Sequence, residues 1–313
     1  CYAYQFFYIF VGLLKKPKKF SAKKQHRFAV VVSARNESSV IGNLISSIQN
    51  QNYPQELVDI FIIADNCTDN TAEIACSAGA IVYERFNKEQ VGKGYALDWM
   101  FNIIESEYAD RNYEGYIIFD ADNVLDPNYI AEMNKVFDNG YRIITSYRNS
   151  KNYDTNWITA GYSLWFLREA KYLNNARMQL GTSCAISGTG FLVSADVIRE
   201  NNGWIHHLLT EDIEFTTDSI IHGEKIGYCA DAILYDEQPT KFGQSYTQRL
   251  RWAKGFYQVF RNYGAKLIKG IFKGSFSCFD MLMTIMPAML LTLISIAINI
   301  IAIPIGIINH SND

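Results

Sequence analysis

Between residues 28 and 146, short β-branched and aromatic runs alternate with amphipathic stretches, and this pattern constrains the fold more than any other feature. Phe28 to Ser33, Val58 to Ala64, Ala80 to Glu84, Tyr116 to Phe119 and Tyr141 to Ser146 have the composition of buried strands. Helical patterns fit between them at Val40 to Gln49, Thr71 to Ala78, Ala96 to Ser106 and Pro127 to Asn139. The alternation predicts an α/β domain with a mostly parallel sheet, because parallel neighbours need a crossover that a helix supplies. Such sheets bind ligands beyond the carboxyl ends of their strands, so the polar residues there are the first candidates for chemistry.

Those ends carry Ala34-Arg35-Asn36-Glu37, Asp65-Asn66 and Asp120-Ala121-Asp122. Neither Gly-x-Gly-x-x-Gly nor Gly-Lys-Ser/Thr is present, which disfavours a dinucleotide or P-loop site. Lys93, between Gly92 and Gly94, is a candidate cation for a phosphate. Asp120 and Asp122 suit a hard divalent cation, which one or two carboxylates and the oxygens of a diphosphate can hold. Asp65 suits a hydrogen bond to a base or ribose; helix capping competes for it, although Asn66, Thr68 and Asp69 also offer caps. Glu211 and Asp212 follow Thr210 at the start of a helical stretch, Ile213 to Ile221, where capping and general-base roles both fit. Farther on, Gln248, Arg251 and Trp252 share one helix face by their three-to-four-residue spacing. Arg251 has the fork for a pyrophosphate and Trp252 a flat surface for a sugar ring; an amphipathic helix lying on a membrane or core accounts for Trp252 alone.

The 313 residues, with 29 Lys+Arg against 32 Asp+Glu, provide for one catalytic-sized domain with attached segments and no charge excess to hold a nucleic acid. The six cysteines lack Cys-x-x-Cys or zinc spacing and read as reduced and cytosolic. The ends differ from the middle. Met281 to Ile308 is almost wholly apolar, enough to span a hydrocarbon core of about 30 Å, with Pro287 and Pro304 marking a kink and an end. The first residue is Cys1, and Tyr2 to Leu14 reads as the remnant of a longer hydrophobic helix. Lys15-Lys16-Pro17-Lys18-Lys19, then Lys23 and Lys24, form a juxtamembrane cluster of the cytoplasmic kind. The expected boundaries are therefore 1–27 for an N-terminal membrane-associated segment and basic linker, 28–242 for the catalytic domain, 243–279 for amphipathic interface helices and 280–313 for a transmembrane segment.

Taken in order, Ser33-Ala34-Arg35-Asn36-Glu37, Asp65, Lys93, Asp120-Ala121-Asp122, Ser187-Gly188-Thr189-Gly190-Phe191, Thr210-Glu211-Asp212 and Gln248-Arg249-Leu250-Arg251-Trp252 resemble the membrane-integrated family 2 glycosyltransferases. That branch holds cellulose, chitin and hyaluronan synthases and related glycolipid glycosyltransferases, and the likeness runs from Phe28 to Gly255. It implies a GT-A type α/β fold with flanking membrane helices. It also implies inverting transfer from a nucleotide sugar, expected to be a UDP-sugar, with Mn2+ or Mg2+ as cofactor. The product would be a β-linked polysaccharide built at the cytoplasmic membrane face, among membrane lipids; the alternative is one sugar placed on a lipid acceptor. By the same likeness Ala34, Arg35, Glu37, Asp65, Lys93 and Asp120 contact the donor nucleotide, and Asp122 binds the metal. Lys93, Gln248 and Arg251 face the diphosphate, while Gly188, Thr189, Gly190, Glu211, Asp212 and Trp252 line the acceptor side, with Asp212 as base. The chain departs from the commonest pattern at Asn66, where many members carry a second aspartate, and at Ala34, where many carry an aromatic residue. It shows one long C-terminal apolar segment where a secreting synthase has several.

Overall fold

The computed structural model describes residues 3–286 and 288–310, with 288–291 and 306–310 described by their backbone alone. Strands β1 (Phe28–Ala34), β2 (Val58–Asp65), β3 (Ile81–Arg85), β4 (Gly115–Asp120), β5 (Val124–Leu125), β6 (Ile143–Ser150), β7 (Phe191–Ser194) and β8 (Ile226–Asp236) form one sheet. Its strand order is β3-β2-β1-β4-β7-β6-β8-β5. The three consecutive valines of β1 and the isoleucines of β2 and β4 are buried, as central parallel strands covered on both faces require. β1 pairs in parallel with β2 and β4, β2 with β3, and β6 with β8. The short strand β7 runs antiparallel between β4 and β6, and β5 antiparallel beside β8. The sheet is thus mostly parallel, with an antiparallel insertion that four residues, Phe-Leu-Val-Ser, are too short to announce in sequence.

Helices α2 (Ile41–Gln49), α3 (Thr71–Ser77), α4 (Lys93–Glu107) and α5 (Tyr129–Asp138) fall where the pattern predicts them, although α4 starts three residues early, at Lys93. Past β6 a long helical stretch comprises α6 (Trp157–Leu167), a π-helical segment (Arg168–Asn174) and α7 (Asn175–Leu180). Then come α8 (Ala195–Glu200), α9 (Glu211–Ile221), and a helix of 31 residues, α10 (Phe242–Phe272), which is followed by α11 (Phe276–Ile285) and α12 (Ala288–His310).

The ends differ from expectation. Met281 to Ile308 is not one helix: α11 ends at Ile285, and Met286 is extended at φ −64° and ψ 120°. Met281, Leu282 and Ile285 are buried against Ile213 and Ile220 of α9 and Val259 and Leu267 of α10, so this part of the apolar run is domain core. Pro287 lies outside the described residues, and Pro304 stands within α12 instead of ending it. Residues 292–305 of α12 are exposed. Among the described residues no helix is long and apolar enough to cross a membrane.

At the other end, Cys1 and Tyr2 lie outside the described residues, and α1 (Tyr4–Leu14) packs on the domain. Tyr8 and Val11 are buried against Leu173 and Ala176, while Phe6, Phe7, Phe10, Leu13 and Leu14 face outward. The join is polar. Asp280 of α11 accepts from Tyr4 Oη at 2.7 Å, Tyr8 Oη at 3.0 Å and Arg177 Nε at 2.7 Å, tying α1, α7 and α11 together in a nearly dry setting.

Candidate active site

The parallel register brings the predicted strand ends into one row: Ser33 lies beside Asp120, Ala34 beside Ala64, and Asp65 beside Arg85. Beyond them the chain turns at Asn36 and Asn66, with φ of 58° and 54°, in the left-handed region that asparagine tolerates. The Asn36 side-chain oxygen accepts from the Thr68 N–H at 2.8 Å, and the Glu37 N–H donates to Thr71 Oγ1 at 2.8 Å, so the two strand-end loops brace each other. Burial raises the Glu37 carboxyl, with Asp120 and Asp69 adding to it. Ala34 is buried and Arg35 exposed. Asp65 is pinned by a residue that the sequence did not single out: Arg85 Nη1 lies 2.7 Å from Asp65 Oδ1, with both side chains almost fully buried.

Lys93 opens α4. Its Nζ donates to Asp120 Oδ1 at 2.5 Å and to the Gly188 carbonyl at 3.0 Å, and stands 3.9 Å from Glu211 Oε1. The neighbouring glycine makes this possible, since a Cβ on Gly94 would lie 2.2 Å from the His206 carbonyl oxygen, in the segment leading to α9. Asp122 occupies the other side of the loop. Burial, then Asp236, then Asp120 push its carboxyl up to about 8. Asp236, at the end of β8, is 2% exposed and accepts from Arg148 Nε at 2.8 Å, Asn123 Nδ2 at 3.0 Å and Gln238 Nε2 at 2.8 Å. Among the described residues no group of three His, Cys, Asp or Glu side chains is arranged to hold a metal by itself. Asp122 nevertheless fits a hard cation, because its neighbouring carboxylates raise its proton affinity and a divalent ion shared with phosphate oxygens would relieve that repulsion.

The Ser187–Gly190 turn links the two carboxylate groups. Gly188 has φ 79°, and its N–H donates to Asp212 Oδ2 at 2.7 Å. Thr189 Oγ1 accepts from the Asp120 N–H at 2.8 Å and donates to Asn123 Oδ1 at 2.6 Å. Gly190, at φ 66°, has no room for a side chain: a Cβ would meet Leu234 Cδ2 at 1.8 Å. Burial raises Glu211 to about 7, opposed by Lys93 and reinforced by Asp212. Asp212 is also raised by burial, while the Ile213 and Gly188 N–H groups and Lys93 counter the rise. A carboxyl moved toward neutrality in this way suits general-base work.

α10 reaches this region by a close approach. A Cβ on Gly255 would come within 2.5 Å of the Thr210 side chain, and the Leu209 N–H donates to Gln258 Oε1 at 3.3 Å. One turn earlier, Trp252 packs edge-on against Tyr162 at 5.8 Å, beside Ile158 and Phe166. Gln248 is half-buried with its Oε1 unpartnered, and Arg251 is exposed. The structure therefore joins Lys93, Asp120, Gly188, Thr189, Glu211 and Asp212. Among the described residues, no hydrogen bond or ion pair links Gln248 or Arg251 to the carboxylates. The sequence reading passed over Arg148, Asn123 and Asp236. Asp236 was discoverable, because it ends the run Ala232-Ile233-Leu234-Tyr235 as Asp120 ends β4.

A family model described as glycosyltransferase like family 2 matches residues 26–255. A beta-monoglucosyldiacylglycerol synthase of Nostoc sp. is 26% identical over 267 residues, covering 82% of this chain and 54% of that protein. A poly-beta-1,6-N-acetyl-D-glucosamine synthase of Staphylococcus epidermidis is 23% identical over 258 residues, covering 81% and 61%. The chain spans about half the length of the curated relatives it matches. Among solved structures, a mannosyltransferase from Pyrobaculum calidifontis in complex with GDP-Man and Mn2+ superposes with TM-score 0.63 at 16% identity, over 96% of this chain and 89% of that one. TarS of S. aureus in complex with UDP-GlcNAc gives 0.56 at 14% identity, over 77% and 66%. At these identities the likeness establishes a shared fold, the GT-A type.

Proposed function

The chain belongs to the family 2-like glycosyltransferases, and we propose that it is an inverting enzyme using Asp212 as its base and a nucleotide sugar as its donor. The observation that carries this reading is the pair of contacts at Gly188: its N–H donates to Asp212 and its carbonyl accepts from Lys93. A base for the acceptor and a cation for the diphosphate thus meet at one residue. In the proposed step Asp212 takes the proton of an acceptor hydroxyl as that oxygen attacks the anomeric carbon. The bond from that carbon to the diphosphate breaks, and its electron pair leaves with the diphosphate. One displacement without an enzyme nucleophile turns an α-linked donor into a β-linked product.

Asp65 and Asp120 serve the nucleoside, together with Ala34, Arg35 and Glu37, while Lys93, Gln248 and Arg251 serve the diphosphate. Trp252, Glu211 and the Gly188–Gly190 turn serve the acceptor. Mn2+ or Mg2+, held by Asp122 with Asp120 beside it, would neutralise the charge gathering on the leaving diphosphate. We take UDP as the nucleotide by the family resemblance, and TarS binds UDP-GlcNAc. The product in this reading is a β-linked polysaccharide, as the likeness to the poly-N-acetylglucosamine synthase supports. The likeness to the glycolipid synthase favours a second reading, one sugar on a lipid. A membrane site suits both: the outward Phe6, Phe7 and Phe10 of α1 run directly into the Lys15–Lys19 cluster, and the exposed part of α12 is rich in isoleucine. On this reading 28–242 is the catalytic domain, 243–279 lies at the interface, and both ends contact lipid.

Membranes containing the protein, given labelled UDP-glucose, UDP-GlcNAc or GDP-mannose with Mn2+, should release nucleoside diphosphate from one donor and gain a labelled product. Turnover of none of them would overturn the reading. A product consisting only of lipid-linked monosaccharide would replace the polymer by the single transfer.

A further inference from the structure

The turn that carries Gly188 is gripped from behind by residues outside the motifs above. Ser187 Oγ donates to Glu169 Oε2 at 2.8 Å, and the Ser187 carbonyl accepts from Arg148 Nη1 at 3.0 Å. That carbonyl and the Gly188 N–H belong to one planar peptide unit. Arg148 holds the oxygen end of the plane, Asp212 receives the hydrogen end at 2.7 Å, and Glu169 anchors the adjoining side chain. Arg148 is itself fixed, with Nε on Asp236 and its guanidinium 4.2 Å from the centre of the Phe166 ring on α6.

Glu169 sits in the π-helical segment Arg168–Asn174, which interrupts a helical stretch running from Trp157 to Leu180. A π register is rare, and where it occurs it is frequently tied to a functional site. Burial raises the Glu169 carboxyl, and the Ser187 hydroxyl, Arg148, Arg177 and Arg168 oppose that rise.

We infer that Glu169 is a positioning residue for sugar transfer: through Ser187 it sets the Ser187–Gly188 peptide plane, and with it the Gly188 N–H that orients Asp212. The inference rests on Asp212 being the base. Its test compares Glu169→Ala, Glu169→Gln, Ser187→Ala and the Glu169→Ala/Ser187→Ala double variant of the full chain. Three readouts are taken: UDP affinity and stoichiometry with Mn2+ by calorimetry, the thermal midpoint, and kcat on the donor that supports turnover. Glu169→Ala should lower kcat roughly 10- to 100-fold, as misplacement of a catalytic group does, with UDP affinity and stoichiometry unchanged. Glu169→Gln should stay within about threefold of the parent, because its amide oxygen still accepts from Ser187. Ser187→Ala removes a single hydroxyl, tests the same link if Glu169→Ala does not fold, and should match it, with no further loss in the double variant.

A Glu169→Ala kcat within about twofold of the parent, additive losses in the double variant, or a kcat loss equalled by lost UDP stoichiometry would overturn the inference. Asp212→Asn, measured alongside, separates the two claims. If it is inert while Glu169→Ala is active, only the positioning role fails; if it turns over, the base assignment fails and takes the positioning role with it.

Discussion

Asp212 and Asp122 are aspartates with raised proton affinity, yet their surroundings suit them to different work. Asp212 is held by backbone N–H groups and faces the Lys93 charge, whereas Asp122 is crowded by Asp236 and Asp120. Asp212→Asn should therefore leave UDP affinity unchanged and lower kcat by about 10²- to 10⁴-fold, the usual worth of a general base; undiminished kcat would remove it from that role. Asp122 also predicts a pH dependence. In the metal-free folded chain its carboxyl keeps a proton up to about 8, against 3.8 for an ordinary aspartate. The stability contributed by that proton is complete below the ordinary value and is lost as pH rises through about 8. Mn2+ must displace the same proton, so calorimetry on the UDP complex should find tighter Mn2+ binding at about pH 8.5 than at about pH 6.5. The gain should vanish in Asp122→Ala; a pH-independent affinity in the parent would exclude Asp122 as the ligand. At this scale the sequence exposed the residues next to strand ends, since strand composition marks the ends. It did not expose Arg85 or Arg148, because a charged residue inside a strand looks the same whether it faces solvent or grips a buried aspartate.

Among the elements, β1, β2 and β4 were legible because β-branched runs have few alternatives in a buried sheet. The turn at Gly188–Gly190 and the start of α9 were visible only as motifs. The Gly188 N–H to Asp212 bond joins them, and α10 packs closely on the start of α9 at Thr210, an approach that Gly255 permits. Gly255→Val would drive a side chain into Thr210, 2.5 Å from the position of the new Cβ. The expected outcome is a loss of about 1 to 3 kcal/mol in urea denaturation, the range for overpacking, together with lower turnover from a displaced Thr210–Asp212 segment. Parent-like stability and turnover would mean that α10 does not set the position of α9. The π-helical segment had no sequence signature, since the same residues support an ordinary α-register locally, and its contacts with Gln5, Ala185 and Ser187 come from distant parts of the chain.

Across the whole molecule, the apolar ends illustrate how far periodicity reaches. Met281 to Ile308 satisfies the length and hydropathy of a span, but its first turns are core, and the adjoining Asp280 binds Arg177, Tyr4 and Tyr8. Although burial opposes it, Arg177 and the two tyrosines hold the Asp280 carboxyl below the usual aspartate range. Arg177→Leu would strand that carboxylate and should cost roughly 3 to 5 kcal/mol in denaturant unfolding, while Arg177→Met with Asp280→Leu should recover much of the loss. An unchanged single variant would show that α1 and α11 are not joined through this pair. The sequence by itself determined the alternating α/β domain, its strand-end carboxylates and the order of its motifs, because those follow from side-chain periodicity and local chemistry. Only the tertiary structure decided that Asp236 stands beside Asp122, that Arg85 holds Asp65, and that Gly188 joins Lys93 to Asp212. Those pairings span tens of residues to more than a hundred and depend on sheet order and on the antiparallel strand β7, which no local pattern encodes.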